Sequence, residues 1–268
     1  MFYKKLKKYI KEEYYNLKNN HSLKLITIII LIILYPITIP VAIISFIIGA
    51  ILVPISEFKK YNNSTYKVIT KKTYLDVILN KGNIAEYYIW KILDKQPEYK
   101  KVLINLYIPN KEKTTEIDSI LINQYGIFVI ESKGYSGWIF GNENDKNWTQ
   151  VIYNYKKRFY NPIIQNRNHI KNLSNILEVE DMDIFRSYIV FSNRCELKNI
   201  SATKANLKVI NIENLQNTLD QDYKKYGKVL TNEQVRILND KLFSYMFTDE
   251  EVKREHIEFV RKIIDKNK

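Results

Sequence analysis

The sequence predicts an α/β domain of mixed strands and helices, preceded by an apolar segment long enough to cross a membrane. Three observations carry this reading. Runs rich in β-branched and aromatic residues near 101–108, 115–123, 126–133, 187–192 and 207–212 read as strands, with another short strand around Trp148. Amphipathic helical patterns near 80–95 and 162–178 are interleaved with them. No charged residue occurs between positions 25 and 56, where nearly every side chain is aliphatic or aromatic.

The elements follow in order. Residues 1–22 form an amphipathic basic arm carrying Tyr9, Tyr14, Tyr15 and Leu17. Residues 23–56 are the membrane segment, since about 20 apolar residues suffice to span a bilayer. The run is too long for a cleavable signal peptide and no small-x-small site closes it. Pro36, Pro40 and Pro54 leave two forms open, a single kinked or tilted helix and a re-entrant hairpin that bends at the prolines. Basic residues favour the cytoplasmic side, but both flanks are basic here, so charge does not choose between them. Residues 57–76 are expected as a linker, 77–220 as the main domain and 221–268 as C-terminal helices. Thr231-x-x-Gln234 and Thr248-x-x-Glu251 have the form of capping boxes for two of those helices.

Composition bounds the partners. The net charge of +13 is compatible with nucleic acid, but lysines beside a membrane segment also serve anionic lipid. The lone cysteine, Cys195, excludes an intramolecular disulfide and a zinc ribbon.

The most informative stretch runs from Glu116 to Lys133: Glu-Ile-Asp-Ser-Ile-Leu-Ile-Asn-Gln-Tyr-Gly-Ile-Phe-Val-Ile-Glu-Ser-Lys. It reads as a hairpin with Gln124 and Tyr125 at the turn. Asn123 then pairs with Gly126, and the same register sets Asp118 opposite Glu131, with directly opposed Cβ atoms about 4.5–5.5 Å apart. Two carboxylates so placed repel unless a cation or a shared proton lies between them, and such oxygen donors suit Mg²⁺ or Mn²⁺. The same register brings Glu116 opposite Lys133, so a cross-strand salt bridge on a solvent face is the other account of these charges.

Asp118 followed by Glu131-Ser132-Lys133 resembles the Asp…Glu-x-Lys signature of the PD-(D/E)XK nuclease superfamily. Around it lie Gly82-Asn83-Ile84-Ala85-Glu86, Gly126-Ile127-Phe128-Val129-Ile130-Glu131, Ser136-Gly137-Trp138 and Asn161-Pro162-Ile163-Ile164-Gln165. In this order, over residues 81–177, they resemble the nuclease-related domain (NERD) found in bacterial, archaeal and plant proteins. The resemblance implies a restriction-endonuclease-like mixed central sheet, flanked by helices, with the site along one edge. It also implies a metal-dependent nuclease acting on nucleic acid, DNA before RNA, with Mg²⁺ or Mn²⁺ as cofactor, which the apolar segment would anchor at the membrane. Asp118 and Glu131 would be the central metal ligands, and Glu86 would hold or position the metal. Lys133 would orient the attacking water or stabilise the pentacovalent phosphate, and Gln165 would complete the site. Ala85 departs from a glycine frequent in the family just before the helix glutamate.

Metal-assisted hydrolysis needs an activated water and stabilised phosphoryl charge. Beside the metal, Lys133 is expected to have a depressed pKa and so to take part in proton transfer. Taken alone, Glu86 could be a solvated helix glutamate, and Gln165 could simply bond near a helix start. His169, one turn after Gln165, reads as a structural or surface histidine. Lys156, Lys157 and Arg158 could grip a nucleic-acid backbone or form a solvated basic loop. The rival function is a non-catalytic nucleic-acid-binding or scaffold protein at the membrane.

Overall fold

The computed structural model describes residues 21–248 except 98, 111 and 112, together with 7, 8, 11, 252, 254 and 258. The basic arm and the Thr248–Glu251 box fall largely outside the described residues. Two compact units are present, one ending at Lys60 and the other beginning at Tyr61.

The first unit is dominated by α1 (His21–Asn62), a single helix of 42 residues. It passes through all three prolines, so the re-entrant hairpin is not formed. Pro36, Pro40 and Pro54 leave the carbonyls of Ile32, Pro36 and Ala50 without an intrahelical donor. At 1.5 Å per residue α1 is about 63 Å long, twice a bilayer's hydrocarbon thickness of about 30 Å. Among the described residues, one helical stretch, Ile39–Asn62, is long and apolar enough to cross a membrane. Its apolar side chains are exposed, Phe46 by 78% and Val53 by 61%.

In the second unit, the expected linker is helical. α2 (Thr65–Thr70) is capped by Ser64, and α3 (Tyr74–Leu79) by a complete box between Thr73 and Asp76. Tyr61 and Tyr66 are fully buried with Val77, Tyr87, Trp90 and Ile104, and the Tyr61 hydroxyl donates to the Lys72 carbonyl at 2.7 Å. Aromatic rings at this spacing need a core, which a solvated linker would not supply. Next comes α4 (Lys81–Asp94), capped by the Asn80 side chain, which buries Ala85, Ile89 and Leu93.

The expected single sheet is in fact two. The larger is mixed, in the order β1 (Lys100–Asn110), β2 (Lys113–Asn123), β3 (Gly126–Lys133), β7 (Phe185–Phe191), β9 (Leu207–Asn211). β1, β2 and β3 are antiparallel neighbours, whereas β3, β7 and β9 run parallel. The smaller has the order β6 (Tyr155–Tyr160), β5 (Asn147–Ile152), β4 (Gly137–Asn142), β8 (Cys195–Ser201). Lys156, Lys157 and Arg158 therefore lie on an edge strand, exposed, and not in a loop.

Alternation along the central strands divides the core. Ile120, Ile122, Ile127 and Val129 pack with Ile170 and Leu173 of α5 (Pro162–Leu177) and Val235 and Leu238 of α7 (Asn232–Phe243). Leu121, Phe128 and Ile130 pack on the other face with α4 and with Leu215, Leu219 and Tyr223 of α6 (Leu215–Tyr226). The sheet is thus covered by helices on both faces, and the helix at 215–226 belongs to the core although its pattern was not anticipated. A third cluster, around Trp148, Phe191 and Cys195, fills the space beside the smaller sheet. Burial pushes the Cys195 thiol up to about 11.

One close approach joins α4 to the end of β3. A Cβ on Gly134 would stand 2.5 Å from the Lys81 carbonyl oxygen and 3.0 Å from Gly82 Cα. Both obstacles are backbone, so Gly134→Ala is expected to destabilise the protein by about 1–3 kcal/mol. A lowered thermal midpoint checks this; an unchanged midpoint would show that the contact can relax.

Candidate active site

The β2–β3 turn sets the register. Asn123 pairs with Gly126, as the sequence predicts, although the Asn-Gly dipeptide typical of tight hairpins is absent. Gly126 has φ +130°, and a Cβ there would lie 2.5 Å from the Ile184 carbonyl oxygen. The Asn123 side chain accepts from the Tyr125 N–H at 2.9 Å, and the Gln124 carbonyl accepts from the N–H groups of Val229 and Leu230 at 2.7 and 2.9 Å. A turn fixed from both sides cannot slip its register without flipping every side chain beyond it.

The paired ladder ends at Ser119 opposite Ile130, one residue short of Asp118 and Glu131, whose charges act on each other. The Ser132 N–H donates to Asp118 Oδ2 at 2.7 Å, closing this end of the hairpin. Glu116 does not pair with Lys133. It lies opposite Tyr107 on β1, while the Lys133 ammonium meets Glu131 Oε1 at 2.6 Å. The carboxylates lie on β2 and β3, the second and third strands of the sheet, and not on an edge strand.

Glu131 is 2% exposed. Besides Lys133 it faces His169, whose Nε2 is 3.3 Å from Glu131 Oε2, a contact not directed as a hydrogen bond. The other His169 ring nitrogen is 3.3 Å from the Thr115 hydroxyl. His169, read from sequence as a structural or surface histidine, is buried and faces Glu131. Its spacing of four from Gln165, on a helix that turns once in 3.6 residues, was the available signal. The Gln165 side-chain oxygen accepts from Lys133 Nζ at 3.2 Å.

The ionisation pattern follows from these neighbours. Burial pushes the Glu131 carboxyl up, but Lys133 and His169 outweigh it and hold the pKa below the usual value. Burial would depress the Lys133 pKa, yet Glu131 and Asp118 raise it above the usual lysine range. The side chains by themselves thus favour the charged form of Lys133. Asp118 is driven well above the usual carboxylate value, first by burial and then by the charges of Glu131 and Glu86. Glu86 is raised by burial despite Lys72, whose ammonium is 3.8 Å away, with Glu116 and Glu131 adding to the rise. Glu86 therefore shares the electrostatic field of the site, while its direct partners are Lys72 and the Tyr66 hydroxyl. Glu116, placed by sequence only in a surface pair, joins the same cluster of carboxylates. Lys156, Lys157 and Arg158 make no contact with it.

The donor set suits a hard divalent cation. Glu131 Oε2 is buried without a hydrogen-bond partner, and the neighbouring carboxylates raise one another's pKa as groups short of positive charge do. Among the described residues, no three His, Cys, Asp or Glu side chains already converge to hold a metal ion.

Residues 81–192 match the family model of the nuclease-related domain. Over that stretch the chain is similar to the nuclease-related domain. The match opens at the helix bearing Glu86 and closes just after β7, so every residue of the site lies inside it. An uncharacterized protein of Bacillus anthracis is 28% identical to the chain over 221 residues, covering 82% of this chain and 96% of its own length. No solved structure matches the chain.

The raised Asp118 pKa has a consequence for stability. A carboxyl whose folded pKa exceeds its unfolded value near 3.9 costs stability as pH rises through and above that value. Asp118→Asn keeps an oxygen for the Ser132 N–H and removes the repelling charge. In EDTA at neutral pH its thermal midpoint is expected to equal or exceed the unmodified protein's, with a flatter fall from acid to neutral pH. A clear drop in midpoint would show that the Asp118 charge supports the fold.

Proposed function

We propose that the nuclease-related domain hydrolyses phosphodiester bonds in nucleic acid, with DNA as the first candidate substrate, using Mg²⁺ or Mn²⁺. The observation that carries this reading is the contact of Lys133 with both Glu131 and Gln165, with Asp118 across the strand pair. Asp118 and Glu131, with Glu86, are the residues that would hold the cation. When bound, the cation would supply Lewis-acid polarisation of the phosphoryl oxygens and a nucleophilic water near neutral pH. Lys133 keeps its proton beside two carboxylates and so offers a fixed positive charge where negative charge develops on phosphate. Gln165 steers that ammonium, and His169 restrains the second oxygen of Glu131.

The same reading places the protein at the cell membrane through residues 23–56, with the domain on the cytoplasmic side, where nucleic acid is found. The exposed apolar surface of α1 supports attachment to lipid. Full-length protein is expected to pellet with vesicles and to resist alkaline carbonate extraction; release into the supernatant would remove the anchor.

The deciding test is cleavage of single- and double-stranded DNA and of RNA by full-length protein in detergent, with Mg²⁺, Mn²⁺ or EDTA. Cutting should require the metal, disappear in Glu131→Ala and fall by about 10²-fold or more in Lys133→Ala. Binding that is equal with and without metal, and no cutting under any condition, would instead identify a scaffold.

A further inference from the structure

Beyond α1, the most exposed large aliphatic side chains among the described residues are Leu79, Val68 and Leu75, at 79%, 70% and 61%. All three lie on α2 and α3, and they are as open to solvent as Phe46 and Val53 of α1. The stripe on α3 is regular. Leu75, Ile78 and Leu79 stand at spacings of three and four residues and share one side of the helix, whereas Val77 turns into the core. Ile78 and Leu79 continue into a groove of about 520 Å³ that they line together with Ile84 and Tyr88 of α4. A contiguous apolar surface of this kind marks a place where something binds.

The rim of this surface carries one sign of charge. Lys81 and Arg194 line the groove and no carboxylate does. Lys71, at the end of α2, is exposed, and the acid on α3, Asp76, is engaged in the capping box with Thr73. Position in the chain is a separate observation. The stretch able to cross a membrane ends at Asn62, and α2 begins at Thr65. Three residues reach about 11 Å at full extension, so the chain enters α2 within reach of the headgroups that border such a span.

We infer that the α3 stripe and the α3–α4 groove form a seat for a leaflet of anionic phospholipid. Leu75, Ile78 and Leu79 enter the acyl boundary, and Lys71, Lys81 and Arg194 meet lipid phosphates. This inference rests on the membrane reading of α1 given above. An apolar face rimmed by cations fits an interface that is apolar below and anionic above. The charge of the rim, and its closeness in sequence to the membrane stretch, select lipid over a second protein. α4 also carries Glu86, so the seat ties the acidic helix of the site to the leaflet.

The test uses full-length protein in vesicles of mixed phosphatidylcholine and phosphatidylglycerol, and in vesicles of phosphatidylcholine alone. Flotation on a density gradient first shows whether the protein is attached. A nitroxide is then placed through Leu75→Cys or Leu79→Cys, with Tyr153→Cys, at a side chain 97% exposed, as the water-facing reference. Cys195 is buried, and the unmodified protein serves as the labelling blank. Thermal midpoints check that each variant is folded. In the mixed vesicles the labels on α3 are expected to collide with oxygen, which concentrates in the bilayer, and to be shielded from a water-soluble nickel chelate. The label on Tyr153→Cys should show the reverse. Lys71→Gln/Lys81→Gln should lower the ratio of lipid-facing to water-facing label about tenfold or more, since both lysines act on an anionic leaflet. Phosphatidylcholine alone should give a similar loss, and equal seating in both vesicle types would overturn the anionic assignment. Nickel access on α3 equal to that of the reference, in protein that floats, would overturn the seat and leave the anchor standing. Shielding from both reagents would overturn it too, by showing that protein covers the face. Protein that does not float with either vesicle would remove the anchor, and the seat with it.

Discussion

A single constraint organises the domain: Glu131 must stay ionised at 2% exposure. Removing a carboxylate from water costs several kcal/mol unless partners replace the lost hydration. Lys133 supplies charge from the same strand, two residues on, while His169 and Gln165 come from α5. α5 must therefore dock in one place and at one rotation. Asn166 secures this, donating to the Val129 carbonyl and to the Ser187 hydroxyl, both at 2.9 Å. It lies between Gln165 and His169 in sequence and ties the helix to β3 and β7 together. The parallel pairing of β7 with β3, which runs to Lys133 opposite Phe191, holds the strand carrying the charges.

The acidic side of the site is built from the opposite helix layer. α4 starts against the end of β3, where the backbone of Lys81 passes Gly134 too closely for any side chain. That approach brings Glu86 into the field of Asp118 and Glu131 from the sheet face that α5 does not cover. The buried tyrosines around Tyr61 and Tyr66 support α4 from outside, so the region before it is a structural buttress. The domain therefore surrounds a cluster of negative charge with two independently anchored helices, one neutralising and one adding to it.

Much of this was legible in the sequence, for identifiable reasons. The β2–β3 hairpin was readable because a two-residue turn and strict alternation leave one register, and Asp118 and Glu131 follow from it. Helix starts at Asn161 and Thr231 were readable because capping is local chemistry. Other features depend on contacts distant in sequence. β6 has no apolar alternation, since five of its six residues are exposed, so it read as a loop. Its strand character comes from pairing with β5 alone. The helix of Leu215, Leu219 and Tyr223 did carry a spacing of four that marks a buried face, and a stricter count would have found it. The place of His169 beside Glu131 was not legible because a lone histidine acquires meaning only through what faces it. The charge state of Lys133 required knowing that burial, the largest single influence on it, is outweighed by Glu131 and Asp118 together.

The hairpin's short turn also imposes an order in time. Asp118 and Glu131 are joined by a two-residue connection, and hairpins of this kind close in about 1–10 μs. Thr115 and His169 are 54 residues apart, and the crossover that carries α5 into a parallel β3–β7 pairing is of the slow, non-local kind. During folding the two carboxylates therefore meet before the helix that brings His169 and Gln165 arrives. For that interval Lys133 is the only cation the strand itself provides, which makes it a companion of the nascent chain as well as of the finished site.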